Sequence, residues 1–217
     1  MKIPILILKD TLDGLLTWVA SNYKSYNDLH TPQYSWLYKT FNGNLNGNFN
    51  YYDQLVGIVT RGDENSQKLE TRLMFDASRA SLPTVHIHMP GEAKGSFTAM
   101  NASIGFGDIT PEDTIPGRMA RSSTATYDLI ITGSGSEEVI AIYELLFALF
   151  IAAHDTIQNS FEVFEFTGNE LMANQDIIPY NTFYRALRVN VSHERVVDSI
   201  ALKSTFESAD FEGEMSL

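Results

Sequence analysis

The sequence predicts an α+β domain: a mixed, mostly antiparallel sheet flanked by helices, with a long loop or β excursion. Three observations carry that prediction. Apolar and polar residues alternate along 84–89 and again along 183–191, which is the period of a strand. Apolar residues recur at helical spacing in 11–24, and they nearly encircle a helix drawn over 137–157. Between these regions, 90–123 is broken by Gly91, Gly95, Gly105, Gly107, Pro111, Pro116 and Gly117. At 217 residues the chain suits one domain, 1–217, with a loop-rich insertion around 90–123 and an acidic C-terminal tail around 205–217.

The elements follow in order. A short apolar run, Ile3–Leu8, leads to Asp10 or Thr11 as the N-cap of a helix over 11–24. Leu12, Leu15, Leu16, Val19 and Tyr23 form its buried face, which Gly14 weakens slightly. Asn27, Asp28 and Pro32 punctuate the chain after it. From Asn42 to Asn50 asparagine occupies every even position, with Gly43 and Gly47 between. Both residue types tolerate left-handed backbone, so this segment reads as the tip between two extended segments, Tyr34–Phe41 and Tyr51–Thr60. A ladder of asparagines holding a sugar or a metal is the functional alternative. Leu69–Asp76 alternates as a strand, and so does Thr84–Met89, with Val85, Ile87 and Met89 on one side and His86 and His88 on the other.

From Thr126 the pattern is regular. Tyr127–Thr132 is an apolar strand, and Gly133-Ser134-Gly135-Ser136 leads into helix 137–157, capped by Ser134 with Glu137, or by Ser136. Phe161–Thr167 is a strand ended by Gly168 and Asn169. Phe183–Val191 is another, with Phe183, Arg185, Leu187, Val189 and Val191 on one face, and Arg195–Leu202 is placed to pair back on it across Ser192–Glu194. The order is β-α-β-β with an antiparallel closing pair, and no internal repeat is present. A helix apolar all round must be covered on every side, by another layer of its own chain or by a neighbouring subunit.

Charge is unevenly placed. Residues 1–124 carry 11 Lys and Arg against 12 Asp and Glu, whereas 125–217 carry 4 against 15, so −11 of the net −12 lies in the second part. A chain gripping nucleic-acid phosphates needs the reverse. The surface is either a solubilising one, or one that avoids DNA or meets a basic partner. The longest apolar run, Val139–Ala153, is 15 residues and contains Glu144, whereas a spanning helix needs about 20. No secretory signal is expected, because Lys9 and Asp10 interrupt the apolar run after Met1-Lys2. With no cysteine, disulfides, thiolate metal sites and cysteine nucleophiles are excluded.

Candidate chemistry is sparse. His86 and His88 could place two imidazoles on one strand face, but a metal needs further ligands and His30, His154 and His193 offer no helpful spacing. Residues 133–136 could cradle a phosphate on backbone amides, yet the lysine of a P-loop is missing and Glu137 and Glu138 would repel the anion, so a tight turn with a cap is the better account. No Gly-x-Ser-x-Gly elbow occurs, and Glu162 and Glu165 fall on opposite strand faces. Arg118 and Arg121, at the end of the long loop, are either solvated or face phosphates or an acidic partner. No catalytic, cofactor-binding or metal-binding residue is assigned, and no enzyme is expected.

With catalysis set aside, the pattern from Ala80 onward resembles the phage tail-completion, or tail-terminator, family of the head–tail connector. The resemblance lies in Ser81–Pro90, Tyr127–Ser134, the helix Glu137–Ile157, Phe161–Leu171 and Pro179–Val191, in the order expected of such proteins: an opening helix, strands around a long excursion, then strand–helix–strand–strand. It covers about two thirds of the chain through hydrophobic spacing; the Asn/Gly segment 41–50 and the acidic tail have no counterpart in it. It implies a structural virion protein forming a homo-oligomeric ring, often a hexamer, at the neck. Such a ring would terminate or cap the tail tube and contact head connector or neck proteins on one side and tube or sheath proteins on the other. DNA would pass through without specific binding, with no membrane involved, and the protein would be found in the host cytoplasm during assembly and in the virion neck or tail afterwards. Two other classes stand beside it: a small-molecule or glycan-binding module using the Asn-rich tip with Tyr34, Tyr38, Tyr51 and Tyr52, and a metal-dependent hydrolase around His86 and His88.

Overall fold

The computed structural model describes residues 3–60, 69–73, 82–94, 118–169 and 182–198. The chain divides into two compact units, one comprising Lys2–Ala93 and Thr124–His193, the other Met1, Lys94–Ser123 and Glu194–Leu217. The described part of the second unit consists of strand residues; the acidic segment 205–217 lies outside the described residues. All the helices among the described residues belong to the first unit.

Helix α1 spans Pro4–Asp28, starting well before the predicted residue 11. Pro4 sits in the first turn behind an extended Ile3. Its ring presets the helical φ, and its missing N–H would have had no intrahelical acceptor there. The apolar run is thus the helix's own opening, and Pro4, Leu8, Leu12, Leu16 and Val19 form one buried stripe. Thr11 is no cap; its hydroxyl donates to the Ile7 carbonyl one turn back. Asp13 accepts from both Lys9 and Thr71, which ties α1 to the sheet edge.

The two segments predicted as extended are helices: α2, Trp36–Phe41, and α3, Tyr51–Thr60. Aromatic and β-branched residues argued for strands, but the buried positions obey the helical period: Leu37 and Phe41 in α2, and Leu55, Ile58 and Val59 in α3. Local caps decide the matter. The Ser35 hydroxyl accepts from the Tyr38 amide at 3.3 Å, and the Asn50 side chain accepts from the Tyr52 amide at 3.1 Å. The Asn/Gly segment between them is a small antiparallel hairpin, β1 (Leu45–Asn46) with β2 (Phe49–Asn50). Gly47, at φ +58°, takes the first position of its two-residue turn, a conformation that strains any residue with a Cβ.

The five-stranded sheet contains β3 (Glu70–Leu73), β4 (Thr84–Lys94), β5 (Arg118–Gly133), β6 (Val163–Asn169) and β7 (Phe183–Asp198), in the order β3-β4-β5-β7-β6. It is mixed and mostly antiparallel, so the α+β class holds. β3 runs parallel to β4, and β6 pairs antiparallel with β7 from Val163↔Ser192 to Asn169↔Ala186. Two predicted turns disappear. β7 passes straight through Ser192–Glu194 because Ser192 pairs with Val163 and Val191 is buried, so Arg195 belongs to the same strand. Gly168 and Asn169 likewise stay within β6. The region 90–123 contributes its two ends to β4 and β5, and 95–117 lies outside the described residues.

Helix α4, Ser136–Ala152, links β5 to β6, and a short α5, His154–Gln158, follows it. Alternate residues of β5 and β7 (Leu129, Ile131, Leu187, Val189 and Val191) share one core cluster with Leu8 and Leu12 of α1 and with Leu145, Leu146, Leu149 and Phe150 of α4. Phe150 meets Phe164 and Phe166 of β6 with centroids 5.2 and 5.4 Å apart. The chain itself therefore covers most of the circumference of a helix too apolar for one sheet to bury.

Candidate functional site

The remaining face of α4 is covered only in part, with Glu144 and Ile151 exposed and Ile140, Phe147 and Ala148 half-buried. Ile140, Glu144, Phe147, Ala148 and Ile151 line one wall of a groove of about 730 Å³. The facing wall comes from α2 and the hairpin, through Thr40, Phe41, Gly43, Asn44, Leu45 and Asn46, with Tyr51 beside them. Leu45 is 66% exposed and Ile151 61% exposed, although both are large and apolar. The groove thus joins the two features the sequence left unexplained, the asparagine-rich tip and the over-apolar helix. The hairpin is fixed at this distance by a hydrogen bond from the Asn46 amide nitrogen to Glu137 Oε1, 3.3 Å.

Two of the asparagine side chains, Asn46 and Asn50, are engaged in the fold. Asn50 caps α3 and also donates to Asp53 at 2.7 Å, and the Asn44 carbonyl accepts from the Tyr51 amide. This spacing, Asn50 followed three residues later by Asp53, was a capping signal open to reading from the sequence. Of the four tyrosines singled out there, only Tyr51 reaches the groove. Tyr38 and Tyr52 meet edge to face at 5.2 Å. Burial, with Tyr23 beside it, pushes the Tyr52 phenol up to about 12. Tyr34 stands apart with Tyr26.

His86 and His88 lie on the same side of β4, half-buried, while Val85 and Ile87 are in the core; Met89, expected to join them, is exposed. Burial, and then the nearby Arg72 cation, holds the His86 imidazole below its ordinary range. Among the described residues no group of three or more histidines or carboxylates could hold a metal. At residues 134–138 the helix N-terminus meets an anion of its own: Glu138, rather than Glu137, accepts from the Ser134 amide at 2.7 Å and from its hydroxyl at 2.8 Å. A carboxylate thus takes the amide a phosphate would have used, and Gly135 is the N-cap in place of either serine. A Cβ at Gly133 would lie 2.8 Å from both Glu138 Oε2 and Val139 Cγ2, so a larger residue there would push these side chains aside. Glu162 and Glu165 are exposed, and Arg118 and Arg121 belong to strand β5 rather than to a loop.

One constellation was missed from the sequence. On the sheet face away from the core cluster, Arg188 Nε and Nη2 donate to the two oxygens of Asp128 at 2.8 and 3.0 Å, and Asp128 is almost fully buried. Thr126 bonds Asn190 and Thr124 bonds Ser192 along the same two strands. This ladder fixes the β5–β7 register and balances its own charge. Asp128 and Arg188 sit 60 positions apart, and only the register brings them together.

No protein-family model matches the chain, and no curated protein matches it either. No helix among the described residues is long and apolar enough to cross a membrane.

Proposed function

We propose that the protein is a structural subunit of a phage head–tail junction, forming a ring that terminates or caps the tail tube and docks it to the neck. The observation that carries this reading is the partly open stripe of α4, which leaves Ile151 exposed. An apolar surface left open beside an otherwise complete core favours a subunit that buries it on a neighbour. Two further points support it. The opening helix, the strands before 95–117 and the succession β5-α4-β6-β7 are compatible with the order expected of tail terminators, while α2, the hairpin and α3 have no counterpart in it. Residues 125–184 contain nine acidic residues and no lysine or arginine, which suits a surface that lets DNA pass without gripping it. Ring subunits meet through two unlike patches that close by rotation, and the hexamer implied by the family resemblance is the expected stoichiometry.

Light scattering over a concentration series tests the reading. A closed oligomer is expected, either alone or on mixing with a neck or tube protein from the same genome. A monomer under all of these conditions, absent from purified virions, argues for another role. The second reading, a small-molecule or glycan-binding module, draws on the groove's mixture of Tyr51, Asn44 and Asn46 with apolar walls. Saturable binding of a sugar, lost in Tyr51→Ala, would promote it.

A further inference from the structure

We infer that the groove between the hairpin and α4 receives an amphipathic helix from a different, basic protein. This rests on reading the chain as an assembly subunit with a docking face. Three features define the occupant. The first is shape: Ile140, Glu144, Phe147, Ala148 and Ile151 fall at helical spacing on one side of α4. That stripe is roughly 16 Å long, the length of three turns of a second helix packed ridge into groove. The second is apolarity, with Ile151 and Leu45 both largely exposed on facing walls, as in helix-in-groove recognition.

The third feature is charge. Among the described residues Glu144 is the one charged side chain lining the groove, Glu137 stands at its hairpin end, and no lysine or arginine occurs in 125–184. An acidic ligand is therefore disfavoured beside Glu144. A second copy pairing symmetrically through this face would bring Glu144 against Glu144, and a head-to-tail copy, which would seat an unlike patch there, is an outcome the test detects. A helix with an apolar seam flanked by lysine or arginine satisfies both the walls and the carboxylate.

The test uses the full chain and two labelled peptides of roughly 20 residues, long enough to form a helix. Both carry leucines at i, i+3, i+4 and i+7. One has lysines flanking the seam and its twin has glutamates. Binding is followed by fluorescence anisotropy at physiological salt, and hydrogen exchange locates it. The lysine peptide should saturate and bind roughly three- to tenfold tighter than its twin, the size of a partly screened charge contact and its reversal. Glu144→Lys should invert that order, Ile151→Asp should remove binding of both, and amide exchange should slow over 140–151. Circular dichroism confirms that each variant is folded. The inference is overturned if neither peptide saturates, if Glu144→Lys leaves the order unchanged, or if a sugar displaces the peptide. It is also overturned if Ile151→Asp dissociates a self-assembled oligomer while the peptide fails to bind. Light scattering on the same samples separates the two proposals: a monomer that binds the lysine peptide removes the ring and keeps the groove, and a ring indifferent to the peptide does the reverse.

Discussion

Leu149 and Ile151 are two residues apart on α4, and the sequence treats them alike. In the fold Leu149 is 1% exposed within the core and Ile151 is 61% exposed at the groove. Truncating a fully buried leucine to alanine costs about 2–5 kcal/mol, counting the lost transfer energy and the cavity left behind. Ile151 has only about two-fifths of a buried isoleucine's contribution to lose, so Ile151→Ala should cost at most about 1 kcal/mol. With a urea slope of roughly 2–3 kcal/mol per molar, Leu149→Ala should move the unfolding midpoint down by about 1–2 M, and Ile151→Ala by less than about 0.5 M. Unfolding is followed by far-ultraviolet circular dichroism at two protein concentrations. If self-assembly covers the stripe, the cost of Ile151→Ala should grow with concentration while that of Leu149→Ala stays the larger. Equal costs at low concentration would refute the assignment of the 140–151 stripe as an open face.

Two further outcomes follow from the site's electrostatics. Arg188→Met removes the two hydrogen bonds from Arg188 to the buried Asp128 carboxylate; breaking a buried pair costs about 3–5 kcal/mol, lowered here to about 2–3 kcal/mol because Arg188 is 38% exposed. The double variant Asp128→Leu/Arg188→Met should recover most of that loss in a urea titration, and a double variant as unstable as the single one would contradict the account. Tyr52 should make the fold sensitive to alkali. Its phenol loses its proton near 10 in the unfolded chain and near 12 in the folded one, so above pH 10 the unfolded state binds fewer protons. The contribution is intact below pH 10 and is lost as pH rises towards 12. Stability measured at pH 9 and pH 11.5 should therefore fall more in the wild type than in Tyr52→Phe, and parallel declines would show that Tyr52 is not responsible.

The sequence by itself determined those elements whose buried side chains follow one period without interruption: β4 through Val85 and Ile87, β5 through Tyr127, Leu129 and Ile131, the core of α4, and β7 through Leu187, Val189 and Val191. Burial there follows directly from the chemistry of the residues. It misread α2 and α3, because aromatic residues favour strands in general while the caps at Ser35 and Asn50 acted locally to start helices. It also broke β7 at Ser192, a polar residue that a neighbouring strand can pair as readily as a turn can use. The site was legible only as two separate oddities. That the asparagine-rich hairpin faces α4, that Glu138 closes on Ser134, and that Asp128 finds Arg188 were decided by packing and register. The first and last of these join residues 60 or more positions apart, which no local periodicity encodes, whereas Glu138 and Ser134 are only four apart and their closure depends on the turn geometry at the helix start.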